Sequence, residues 1–112
     1  MAMINGSKTP TGTKAKSVLG TTHKSVPGKP EEHFVEWVPT PQVPEGVLTA
    51  NVNVSMGARV GLPDYSDARC GASLTIPVAA ELEEIEHAFN FAKKWCEGHV
   101  QAMIEEIREE NG

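Results

Sequence analysis

The sequence predicts an α+β domain: a short antiparallel sheet of three strands packed on one long C-terminal α-helix. Three observations carry that expectation. Residues 48–60 alternate apolar and polar without a break, the alternation resumes over 68–76 after seven turn-forming residues, and helical spacing begins near Ala79.

Residues 1–32 come first and are rich in Gly, Pro, Ser, Thr and Lys, with no apolar period. Such a stretch cannot bury enough surface to offset its ordering entropy, so it reads as a disordered tail, with Val18-Leu19 as its one apolar pair. The remainder, 33–112, reads as a single domain.

His33-Phe34-Val35-Glu36-Trp37-Val38 forms a β-like run closed by Pro39-Thr40-Pro41 and Val43-Pro44-Glu45-Gly46. The flanking prolines suit an edge strand, where a missing N–H is tolerated. From Val47 onward, Leu48, Ala50, Val52, Val54, Met56, Ala58 and Val60 share one face. Thr49, Asn51, Asn53, Ser55, Gly57 and Arg59 share the other. After Gly61–Asp67, Ala68, Cys70, Ala72, Leu74 and Ile76 alternate with Arg69, Gly71, Ser73 and Thr75, and Pro77 ends the run. The two runs make a long hairpin.

The helix follows, with Leu82, Ile85, Ala88, Phe89, Ala92, Trp95, Cys96, Val100, Met103, Ile104 and Ile107 at the spacing of one face. Glu81, Glu83 and Glu84 stand near its start, where the dipole favours carboxylates. Gly98 is its weak point, costing about 1 kcal/mol against alanine. Trp95 and Phe91 cannot both face one sheet, so an exposed helix aromatic is expected.

Composition bounds the function. The net charge of −5 hides an asymmetry: residues 1–30 hold five lysines and no acid, while 31–112 hold the other five basic residues and all fifteen acids. A basic arm on an acidic body suits either phosphate tracking or simple solubilisation. No run approaches the ~18 apolar residues of a membrane span. The N-terminus lacks the pattern of a signal peptide, so a cytoplasmic location is expected. Cys70 and Cys96 suggest two buried thiols and no disulfide framework. A core of roughly 80 residues, poor in aromatics, is marginal alone, which makes a homo-oligomer a natural expectation.

Matching apolar to apolar sets the hairpin register: Val60 opposite Ala68, Ala58 opposite Cys70, Met56 opposite Ala72 and Val54 opposite Leu74. The polar face then pairs Arg59 with Arg69, Gly57 with Gly71, Ser55 with Ser73, and Asn53 with Thr75. Like charges directly opposite are destabilising. The two arginines therefore call for an anion, either Asp64 or Asp67 from the loop or an external phosphate. Two mid-strand glycines would leave bare backbone beside them, either through a bulge or bend or for close approach of a ligand. Tyr65 in the loop offers a stacking ring. A sheet surface with basic groups and an aromatic platform is how single-stranded nucleic acid is held.

Other residues carry less. Cys96, His99 and His87 lack further Cys or His at ligand spacing, and no metal or other cofactor is expected. No convergent acid–base set can be assembled from His33, His87 and His99, so an enzyme is not expected. The glutamates at 83, 84, 86, 105, 106, 109 and 110 read as a solvated helix face.

The run Val52-Asn53-Val54-Ser55-Met56-Gly57, then Leu62-Pro63-Asp64-Tyr65-Ser66-Asp67-Ala68-Arg69 and an acidic C-terminal helix, resembles a group of small phage-encoded proteins over residues 50–110. The resemblance implies a phage or mobile-element source, hence the cytoplasm of a host cell, and supplies no functional residues.

The expectation is a non-enzymatic binder of single-stranded nucleic acid. Arg59, Arg69 and the tail lysines Lys14 and Lys16 would contact phosphates, and Tyr65 would stack. Gly57, Gly71, Asn53, Ser55 and Ser73 would line the strand. The alternative is a protein-interaction module, a phage inhibitor or adaptor, engaging a host protein through the acidic helix and a sheet edge.

Overall fold

The computed structural model describes residues 16–111. Four strands and one helix follow in the order β1 (Lys16–Ser25), β2 (Glu32–Thr40), β3 (Thr49–Gly61), β4 (Asp67–Ala79) and α1 (Leu82–Asn111). The architecture is α+β, with a single antiparallel sheet ordered β2-β1-β4-β3 and the helix across one face.

The sheet therefore has four strands and not three. The additional strand comes from the segment read as a disordered tail: β1 pairs with β2 from Lys16↔Thr40 to Lys24↔Glu32. It also pairs with β4 from Thr21↔Ser73 to Ser25↔Arg69. Residues 1–15, including Lys14, lie outside the described residues. β2 contains the run 33–38 and is an edge strand, as the prolines suggested.

The β3–β4 register agrees with the sequence reading at every pair from Val60↔Ala68 to Asn53↔Thr75. It continues past Pro77, which pairs with Asn51, to Thr49↔Ala79. The proline does not end the strand. β1 pairs with β4 only as far as Ser73, so near Pro77 β4 is paired on one side alone among the described residues, the edge-like setting in which a strand proline is tolerated. Where β1 parts from β4, an apolar cleft of 210 Å³ opens, lined by Pro39, Pro41, Ile76, Val78 and Phe91 among others.

Because the strand runs on, the helix starts at Leu82 and not near Ala79. The amide of Ala80 donates to Leu48 O at 2.8 Å, tying the junction to the start of β3. Glu83 and Glu84 occupy the first turn. Thirty residues give a helix about 45 Å long. Its Ala88, Ala92, Cys96, Val100, Met103 and Ile107 are buried against Val52 and Val54 of β3 and Ala68, Cys70, Ala72, Leu74 and Ile76 of β4. Leu74 and Ile107 are the largest fully buried side chains. No helix among the described residues is long and apolar enough to cross a membrane.

Toward β1 the helix uses different chemistry. A side chain at Gly20 would collide with Trp95, since a Cβ there would sit 2.5 Å from the indole Cη2. Trp95 also packs against His99, with ring centroids 4.3 Å apart, and His99 Nε2 lies 3.2 Å from Glu36 Oε1 on β2. Phe89 and Phe91 are the half-exposed helix aromatics.

The open sheet face as a candidate binding surface

Alternation along each strand sends even-numbered residues toward α1 and odd-numbered residues to the opposite face, on which no helix among the described residues packs. The open face carries Leu19, Thr21, His23 and Ser25 from β1, and His33, Val35 and Trp37 from β2. From β3 and β4 it carries Asn53, Ser55, Gly57, Arg59, Arg69, Gly71, Ser73 and Thr75. The residues named for a ligand from the hairpin therefore share one surface.

Two rows of that surface are internally bonded. Asn53 Nδ2 donates to Thr75 Oγ1 at 2.7 Å, and Ser55 Oγ donates to Ser73 Oγ at 3.1 Å. These bonds hold the side chains in fixed positions and leave part of each group's hydrogen-bonding capacity facing solvent.

Arg59 and Arg69 stand opposite each other, as expected. Of the two loop acids, Asp67 is the one that answers them: its Oδ2 lies 3.9 Å from Arg59 Nε. Asp64 serves the turn instead, accepting from Ser66 Oγ at 2.5 Å and Ser66 N at 3.2 Å. The Ser66 hydroxyl and amide hold its carboxyl below the ordinary aspartate value. Arg69 has no carboxylate within ion-pair distance among the described residues.

The glycine pair needs correction. The backbone at Gly71 is not bare, because the His23 ring of β1 lies over it and an added Cβ would overlap that ring. Gly71 is buried, whereas Gly57 is exposed. One row across the sheet therefore runs Gly57, Gly71, His23, His33, with the two imidazoles 6.3 Å apart. His33 also approaches Glu31 at 3.3 Å.

Tyr65 is 99% exposed at the hairpin tip and takes a positive φ of 69°. Sequence reasoning passed over a second ring: Trp37, 68% exposed, beside its β1 partner Leu19 and near Val35. Its signal was membership of the β-like run 33–38, in which neighbours Trp37 and Val38 must take opposite faces.

The tail lysines divide. Lys16 opens β1, and Lys14 falls outside the described residues. Lys24 is unavailable to phosphate, because it is buried on the helix side among three carboxylates. Its Nζ lies 3.1 Å from Glu106, 3.9 Å from Glu32 and 4.0 Å from Glu110. Burial pulls its pKa down, but the Glu106 hydrogen bond and the three negative charges outweigh that and leave it raised. Lys29 is likewise drawn to Glu110 at 3.7 Å.

The outcome is a segregation of charge. Glu32 and Glu36 of β2 and the glutamates of α1 lie on the helix side. The open face keeps both sheet arginines, with Asp67 and Glu31 at its margin. Among the described residues no three His, Cys, Asp or Glu side chains converge as a metal site. Cys70 and Cys96 are buried and unpaired, and Cys96 Sγ lies 3.6 Å from Val54 O. No protein-family model, curated protein or solved structure matches the chain.

Proposed function

We propose that the protein binds single-stranded nucleic acid, without catalysis, on the open face of its sheet. The observation that carries this reading is the pairing, on the sheet face opposite the helix, of an arginine without a carboxylate partner among the described residues and an exposed tryptophan. Arg69 and Arg59 supply phosphate contacts at one end, and Trp37 supplies a stacking surface at the other. By the strand register the two ends are roughly 20 Å apart along the sheet, enough for a short stretch of extended strand. The neutral rows between them, Asn53 with Thr75 and Ser55 with Ser73, add hydrogen-bonding groups without repelling a polyanion. Tyr65 stands at the arginine end as a further ring, and the exposed backbone of Gly57 admits close approach there. The positions of Glu32, Glu36 and the helix glutamates on the far side keep their repulsion away from the bound strand.

A second reading is engagement of a host protein, favoured by Phe89 and Phe91, which stand half-exposed on the helix among Glu83, Glu84 and Glu86. The test separates the two. Labelled single-stranded DNA or RNA is titrated with the full chain at low and moderate salt, reading fluorescence anisotropy. Salt-sensitive binding lost in Arg59→Ala/Arg69→Ala supports the sheet face. Absence of binding at both salts overturns the proposal and turns the search to a protein partner.

A further inference from the structure

The two edges of the sheet differ in how they are protected. The β2 edge contains Pro39, with Pro41 and Pro44 just beyond it. The β3 edge has thirteen residues, no proline, and a register with β4 that runs from Thr49↔Ala79 to Gly61↔Asp67 without a bulge. No strand among the described residues pairs with its outer side. Such an edge presents a row of unpaired N–H and C=O groups, the usual template for adding another strand.

The helix points to which strand is added. α1 packs about equally on β3 and β4, so its axis runs above the line between them. Neighbouring strands are about 4.8 Å apart. A twofold axis normal to the sheet at the β3 edge would set β3 beside its own copy at that spacing. The helix axis then lies about 5 Å from the twofold. The two helices come roughly 10 Å apart, at the top of the 8–10 Å range for packed helices. One operation satisfies both the strand edge and a helix contact.

The flank of α1 above that edge suits the contact. Met56, Lys94, Glu97, Gly98, Val100 and Gln101 line a shallow groove there. A Cβ at Gly98 would meet nothing within 4 Å, so no contact inside the chain requires a glycine mid-helix. A helix from another copy would give the glycine a use, because glycine permits the closest approach. Met56, Ala58 and Val60 are only partly buried, unlike Val52 and Val54, and lie on the same strand. A register centred on Met56, beneath Gly98, sets Val54 opposite Ala58 and Val52 opposite Val60, apolar against apolar. Lys94 and Glu97 give each flank one charge of each sign, which a twofold brings together crosswise.

We infer that the β3 edge and the Gly98 flank of α1 form a twofold interface with a second copy of this chain, making a continuous eight-stranded sheet with both helices on one side. The inference stands independently of the nucleic-acid reading.

Sedimentation equilibrium of the full chain at tens of micromolar is expected to give twice the chain mass. Gly98→Glu keeps the helix by circular dichroism, since its side chain meets open space in one copy, and weakens association roughly tenfold or more. Lys94→Glu weakens association, and Lys94→Glu/Glu97→Lys restores it, a rescue that a general loss of stability would not produce. A single-chain mass for the unaltered protein overturns the inference. So does a dimer indifferent to both Gly98→Glu and Lys94→Glu, which would have to use another surface.

Discussion

The Trp95 indole occupies the space that a side chain on Gly20 would fill. This contact draws the helix, which otherwise packs on β3 and β4, toward the β1–β2 half of the sheet. It is reinforced by His99, which packs against Trp95 at a tilt of 50° and reaches Glu36. The glycine is required here by tertiary approach, since the backbone at that position is ordinary extended strand.

Gly20→Ala therefore forces the indole or β1 to shift. The expected loss is about 1–3 kcal/mol, the usual cost of overpacking a filled site, read as a lower urea midpoint. Gly57→Ala is the control, because a Cβ there meets only Cys70 O at 3.4 Å. Equal stability of the two variants would mean that Trp95 does not hold the helix to β1.

The same contact explains what the sequence disclosed and what it concealed. The register of β3 with β4 was legible to the residue, though not the run of β4 past Pro77, because their inward positions are all apolar and a slip of one would expose every one of them. β1 was not. Its inward positions include Gly20, Thr22 and Lys24, which carry no apolar signal. They tolerate burial only because Trp95 fills the notch over Gly20 and Glu106 and Glu110 join the nearby Glu32 around Lys24, and Trp95, Glu106 and Glu110 are all 75 or more residues distant. Trp37 was visible as an aromatic in a strand run. Its place on the binding face depended on β1, which joins β2 to the hairpin. His23 over Gly71 was hidden for the same reason.

Lys24 should contribute to the decline of stability at alkaline pH. Its folded pKa is raised above the ordinary 10.5, so its contribution is complete below that value and lost as pH rises through the folded pKa. Stability should begin to fall near pH 9, where thiols of the unfolded chain ionise and the buried Cys70 and Cys96 do not, and Lys24 should steepen the decline above about 10. Glu106→Gln should cost about 1 kcal/mol at neutral pH, since a charged hydrogen bond is lost but Glu106 is half exposed. It should also flatten the alkaline decline. Denaturant titrations from pH 7 to 11 on both proteins give the comparison, and an unchanged alkaline limb in the variant would remove Lys24 as a contributor to it.

The two thiols should report global unfolding. Burial raises the pKa of Cys96, and raises that of Cys70 against the opposing pull of an Ala58 backbone hydrogen bond and the Lys24 charge. Both are therefore protonated and shielded at neutral pH, conditions under which thiols react slowly. Alkylation of native protein should be slow, and its rate should rise with urea in step with loss of helix signal. Rapid labelling of either cysteine without urea would show that the sheet–helix core opens locally.

The open face should separate stacking from charge. Trp37 stands out from the sheet, so Trp37→Ala should leave the urea midpoint nearly unchanged while weakening single-strand binding. A stacked base is worth about 1–3 kcal/mol, equivalent to roughly 5- to 150-fold. The dependence of affinity on salt should be untouched, because no phosphate contact is removed. Arg69→Ala should do the reverse, lowering the slope of log affinity against log salt by about 0.7, the value for one phosphate contact on a single strand. Two anisotropy series across the same salt range measure both quantities. If Trp37→Ala changes the slope, or Arg69→Ala changes affinity without changing it, the two residues do not play these separate parts and the strand lies elsewhere.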